Sequence, residues 1–239
     1  PGWGIPAPAY PDALLLAMSM TLDKITEKAR LILIDPSSGT DKRWEDAELV
    51  GWVNDSYLAL ITMRPDIGMT WEQFTCTADV SEQAITVTGA IRLHSVLRND
   101  ESGDKSAIQL VSQSLLDTQH PEWRNDTTVT EATGIQFYMH DPLLPLKFSV
   151  YPVPTTARKL WVAYVKLPTL HSTASAPSSL SLLVPDHYAE PILNYVLYRA
   201  FSKDMESTSA ANRAASHYQL FASALGAGVQ SDTATAPKN

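Results

Sequence analysis

A single cysteine, Cys76, stands in a chain of 239 residues. One thiol excludes an intramolecular disulfide and any multi-cysteine metal site, and it agrees with a reducing compartment. Positive charge is also scarce. The 18 Lys and Arg face 26 Asp and Glu, and a net charge of −8 argues against a protein that wraps nucleic acid on a broad cationic face. DNA could pass close to such a chain without being held. Long apolar runs are missing: the longest near the N-terminus, Ala13 to Met18, falls far short of the roughly 20 residues that span a bilayer, and no basic flank precedes it. Neither a membrane anchor nor a signal peptide is expected. The ten glycines form no phosphate-binding loop, and no His-Glu-x-x-His helix, Gly-x-Ser-x-Gly elbow or paired-cysteine motif occurs.

The groups that could carry chemistry do not converge. His94, His120, His140, His171, His187 and His217 are scattered without ligand spacing, so no catalytic residue, cofactor or metal is assigned. His140-Asp141 resembles half of a catalytic pair, yet neighbours on a strand point to opposite faces, and a strand end meeting an Asp-Pro turn accounts for both residues. Glu45, Asp46 and Glu48 belong to the first turn of a helix, where the dipole favours negative charge. Cys76 reads as a small buried hydrophobe.

What is present is a core. At 44% hydrophobic and 18% charged residues, the chain is long enough for one or two globular domains. The first residue is Pro1, and Met18 and Met20 are plausible alternative starts. Residues 1–19 interleave Pro1, Pro6, Pro8 and Pro11 with Trp3, Ile5 and Tyr10, which favours extended backbone and leaves three apolar side chains in need of a surface. From Thr21 to Asp35-Pro36, Leu22, Ile25, Ala29 and Ile32 form a helical stripe, with Asp23, Lys24, Glu27, Lys28 and Arg30 on the polar face. A second helix follows to Arg64-Pro65, its buried stripe running through Leu49, Trp52, Val53, Ser56, Leu60 and Met63; the two read as a hairpin.

Between about Thr70 and Leu170 the pattern changes to short β-rich runs at 71–77, 84–88, 135–139, 147–151 and 160–165. Residues 98–105 read as a charged exposed loop and 112–118 as a short helix. A Ser/Ala-rich linker leads to two C-terminal helices. The first carries Leu193, Val196 and Leu197. The second, from about Ser209 to Leu225, carries Tyr218 and Phe221, with Gly226 as its C-cap.

The fold expected is therefore α+β: a helical bundle formed by the N-terminal hairpin and the C-terminal helices, with an inserted, mostly β domain. Its parts are an arm (1–19), a helical hairpin (20–69), the β insertion (70–170), a linker (171–183), the closing helices (184–226) and a small polar tail (227–239) that would be disordered in isolation. The expected bundle core comprises Leu49, Trp52, Val53, Leu60, Leu193, Val196, Leu197, Tyr218 and Phe221, with Tyr195 buried beside it.

Two blocks rise above this background. Residues 43–65 (RWEDAELVGWVNDSYLALITMRP) and 184–226, which contain NYVLYRAFSKD and end in YQLFASALG, resemble the head-to-tail adaptor, or connector, proteins of tailed bacteriophages in order and type. The Arg64-Pro65 helix end, Tyr198-Arg199-Ala200 with Lys203-Asp204, and Val184-Pro185 extend the likeness loosely over 21–226. Glu45 departs from the small N-capping residue common in that family, and residues 1–19 have no counterpart there.

The resemblance implies a structural virion protein, assembled in the host cytoplasm. It would form a dodecameric ring that docks beneath the portal protein, meets a downstream tail protein, and extends a lumen through which genomic DNA passes without specific binding. Independently of the resemblance, the prolines and apolar side chains of residues 1–19 read as a partner-docking arm anchored by Trp3, Ile5 and Tyr10; by the resemblance, Gly228, Val229 and Gln230 belong to a portal-docking tail. A tail-tube or tail-hub protein and, more distantly, a hydrolase built on the β domain remain as alternatives; the hydrolase would need a pocket with convergent polar groups.

Overall fold

The computed structural model describes residues 20–36, 42–126, 134–174, 177–204 and 208–235, with residues 227–235 as helical backbone alone. Trp3, Ile5 and Tyr10 lie outside the described residues. The protein is α+β and divides into two compact units: Pro1–Met63 with Leu170–Asn239, and Arg64–Thr169.

The first unit is helical. Helix α1 (Leu22–Leu33) starts from an extended Thr21 and buries Leu22, Ile25, Thr26, Ala29 and Arg30. That stripe departs from the expected one at two positions. Ile32 is half exposed, while Arg30, placed on the polar face by its charge, is buried and ion-paired. Helix α2 (Asp46–Met63) is apolar on nearly every side; Leu49, Val50, Trp52, Val53, Tyr57, Leu60 and Ile61 are buried, and Met63 at its end is exposed. A short 3-10 turn, Asp186–Tyr188, opens α4 (Ala189–Lys203), whose first turn accommodates Pro191. Helix α5 (Thr208–Thr235) packs along α4, and α4 in turn contacts both α1 and α2. The expected C-cap at Gly226 is corrected. Helical backbone continues through Gly226, Gly228, Val229 and Gln230, so this stretch is not an irregular tail.

Residues expected as a loose linker are stitched to the helices. Asn54 of α2 donates from Nδ2 to the His171 carbonyl at 2.9 Å and accepts the His171 N–H at 3.1 Å. The Tyr57 hydroxyl lies 3.2 Å from His171 Nε2, and its burial pushes the phenol up to about 12. Farther along, the Leu22 N–H donates to the Leu180 carbonyl, and Thr21 bridges Ser181. These bonds satisfy backbone groups that burial would otherwise leave without partners.

The second unit carries both sheets. In the first, β1 (Met69–Thr75), β7 (Lys159–Lys166) and β3 (Ala90–Asn99) are antiparallel in the order β1-β7-β3. The other has the order β2-β6-β5-β4, from β2 (Glu82–Ala84), β6 (Lys147–Tyr151), β5 (Phe137–Met139) and β4 (Gln109–Leu110), in which the β4–β5 pair is parallel and the rest antiparallel. A shared core contains Leu93, Val96, Tyr138, Phe148, Val162 and Tyr164. Helix α3 (Gln113–Gln119) covers a smaller cluster through Leu116, against Trp123 and Met139.

The longest strand, β3, has no counterpart among the expected runs. Register shifts between Ala90 and Arg92, Leu93 and Ser95, and Val96 and Arg98 break its two-residue period, so that Leu93, Val96 and Asn99 are the residues buried. The loop reading of 98–105 fails at its first two positions. Arg98 and Asn99 close β3, and the fully buried Asn99 donates to the Ile135 carbonyl at 2.8 Å while accepting the Ile135 N–H at 3.0 Å.

Candidate functional site

Chemistry in the second unit is dispersed. A cavity of about 390 Å³ is lined by Glu82, Ser112, His140, Asp141 and Lys147 among others. Its polar groups serve local structure: His140 Nδ1 lies 2.9 Å from the Lys147 carbonyl, Lys147 Nζ lies 2.8 Å from Glu82, and Asp141 Oδ1 accepts the Leu143 N–H at 2.9 Å. Burial pushes the Cys76 thiol up to about 12, which keeps it protonated and unreactive at neutral pH. Among the described residues no group of three or more His, Cys, Asp or Glu could hold a metal ion.

The helical unit has two built features at its surface. The first is the turn after α1. Arg30 pairs with Asp35, donates to the Trp44 carbonyl at 2.8 Å and meets Asp46 Oδ1 at 2.6 Å. Lys42 reaches the other Asp46 oxygen at 2.8 Å, and Asp35 Oδ1 accepts the Arg43 N–H at 2.7 Å. The Asp46 carboxyl is held below its ordinary value, foremost by the hydrogen bond from Lys42, then by Arg30, against the opposing cost of burial. This network fixes the end of α1 against the start of α2.

Directly on that turn sits Ile34, with φ 55° and ψ 43°. A β-branched residue in the left-handed region is an outlier, costing about 1–2 kcal/mol relative to right-handed backbone. Its N–H reaches the Leu31 carbonyl at 3.4 Å, and the Asp35 N–H reaches the Arg30 carbonyl at 3.0 Å; glycine could make the same C-cap without strain. The side chain packs little against the described residues, since Ile34 is 93% exposed and Leu31 beside it 79%.

The second feature is an aromatic cleft of about 280 Å³ lined by Ala59, Thr62, Met63, Tyr195, Tyr198, Tyr218 and Phe221. Tyr195 packs edge-on against Phe221 with centroids 5.2 Å apart, and Tyr198 and Tyr218 meet at 5.1 Å. Phe201 stacks on His217, whose Nδ1 lies 2.9 Å from Asn194 Oδ1 and whose pKa is lowered by burial. The cleft offers ring faces, ring edges and phenol hydroxyls, a surface suited to apolar side chains.

The residues singled out from the sequence divide accordingly. Leu49, Trp52, Val53, Leu60, Leu193, Val196, Leu197 and Phe221 are buried in the helical unit. Tyr218, expected in the core, is instead 45% exposed, because its ring caps Tyr198 at the cleft; Tyr195 is half-buried. Periodicity points to neither the Arg30 network nor the strained Ile34. The signal that the sequence does carry is an arginine four residues after Thr26 on the apolar stripe, followed by an isoleucine where a helix-ending glycine belongs.

The family model described as SU10 adaptor protein matches residues 20–239, which takes in both units and leaves out residues 1–19. No curated protein matches the chain.

Proposed function

The chain belongs to the SU10 adaptor protein family, a family of phage head-to-tail adaptors, and on that premise we propose that it forms a ring beneath the portal and extends the DNA channel to the tail. As a member of that family it is a structural phage adaptor of the virion. The observation that carries the finer reading is the span of the match, which runs through the helical unit, the β unit and the return to the helices.

In this reading α1, α2, α4 and α5 are a helical bundle interrupted by an inserted β domain, and copies assemble as a dodecamer through the bundle. The net charge of −8 supports a lumen that repels rather than grips DNA. Residues 1–19 act as an arm on a neighbouring subunit or tail protein, anchored by Trp3, Ile5 and Tyr10. The end of α5 beyond Gly226, with Gly228, Val229 and Gln230, docks with the portal.

The test is co-expression with the portal protein of the same phage, followed by electron microscopy along the symmetry axis. A twelve-fold ring seated on the portal is expected. A chain that stays monomeric and does not bind the portal would overturn the proposal.

A further inference from the structure

A ring requires surfaces that join one copy to the next, and the helical unit carries two that complement each other. We propose that the ring closes through a knob-in-cleft contact: Leu31 and Ile34 of one copy enter the aromatic cleft between α2, α4 and α5 of its neighbour. The inference rests on the proposed assembly and adds its contact.

Strain identifies the knob. Ile34 holds a conformation that glycine adopts freely, and its exposed side chain makes little contact with the described residues of its own subunit. A strained, exposed branched aliphatic group is suited to a contact outside the subunit. The Arg30 network behind the turn holds it in one place, so little ordering entropy is lost on contact.

Among the described residues, placement excludes self-contact. Arg30 ties the knob to Trp44 and Asp46 at the start of α2, whereas the cleft takes in Met63 at its end. Eighteen residues of helix separate the two by about 26 Å. Two different patches at opposite ends of one helix are both satisfied by a second copy, and a heterologous contact of this kind closes into a ring when its rotation permits.

Area favours a second copy as the occupant. Leu31, Ile32 and Ile34, together with Met63 and Tyr218, expose on the order of 600 Å² of surface in all, about half of the roughly 1,200 Å² that the smallest standard interface buries. The cleft, at about 280 Å³, has room for two branched aliphatic side chains.

The experiment uses the full chain, with and without portal protein, and reads melting temperature together with oligomer mass by mass photometry. Ile34→Gly should raise the subunit melting temperature by about 2–4 °C, because the strain is relieved, while cutting the ring population at least tenfold. Tyr218→Glu, at the half-exposed rim of the cleft, should abolish rings while lowering the melting temperature by only a few degrees, the loss of its ring contacts with Tyr198 and Phe221. Ile34→Cys and Tyr218→Cys in one chain should yield a ladder of disulfide-linked multimers under oxidation, and a mixture of the two single variants should yield dimers only. Rings that survive Ile34→Gly and Tyr218→Glu, with no ladder, overturn the contact alone. An unsubstituted chain that forms no ring even with portal overturns the contact and the proposed function together.

Discussion

Arg30 shows how far one residue's setting can depart from its type. Its stem follows the apolar stripe of α1 while the guanidinium is matched by Asp35, Asp46 and the Trp44 carbonyl, so a charge that composition assigns to solvent becomes a buried tie. Asp46 makes that tie pH-dependent. Its folded pKa lies below the ordinary 3.8, so its stabilisation is fully present above that value and is lost as pH falls through it toward the folded pKa. Urea midpoints taken from pH 6 down to pH 3 should therefore fall more steeply for the unsubstituted chain than for Asp46→Asn. Trp52 acts through packing. It is buried and meets Trp44 edge-on with centroids 5.5 Å apart, so Trp52→Ala should cost about 3–5 kcal/mol in chemical denaturation. A near-unchanged midpoint would mean that the indole contributes little to the helical core.

At the scale of elements, helices and strands are not equally legible. Both ends of α2 follow from local chemistry, acidic residues in the first turn and Arg64-Pro65 beyond the last. Strand β3 is hidden because three register shifts turn an alternating pattern into a spacing of three, and its partner β7 lies some sixty residues away. Helix α5 reads too short from its sequence for a different reason: Gly226 costs a helix only about 1 kcal/mol, which a 28-residue helix packed along α4 can absorb. The turn before β5 makes the opposite use of glycine. Gly134 has φ +65°, and a Cβ there would collide with Asp104 Oδ2 and press on Asn99 Nδ2 at 3.0 Å. Gly134→Ala should destabilise the β unit by about 1–3 kcal/mol, read by a lowered melting temperature, through strain and through disturbance of the Asn99–Ile135 clamp. Truncation after Gly226 should leave the helical fold intact, since Ala210, Ala214, Phe221 and Leu225, the buried residues described on α5, all precede it, while weakening portal attachment in a pull-down.

For the whole molecule, charge makes a prediction that no single element could. A net −8 and the lack of a helix with clustered Lys or Arg mean that purified protein should bind duplex DNA more weakly than about 10⁻⁶ M at physiological salt. Tight, steeply salt-dependent binding in a filter or anisotropy assay would contradict that electrostatic reading. By itself the sequence determined the α+β class, the positions of the main helices, the acidic balance and, through residues 43–65 and 184–226, the likeness to phage adaptors, because each is a property of composition or of neighbours within a few residues. Only the tertiary structure decided that Asn54 clasps His171, that Arg43 pairs with Asp204, that Arg30 is buried and Tyr218 is not, and that a strained Ile34 stands out from one end of α2 with an aromatic cleft at the other. Those features depend on groups as many as 161 residues apart, whose meeting is governed by packing and by the need to satisfy buried polar groups rather than by local periodicity.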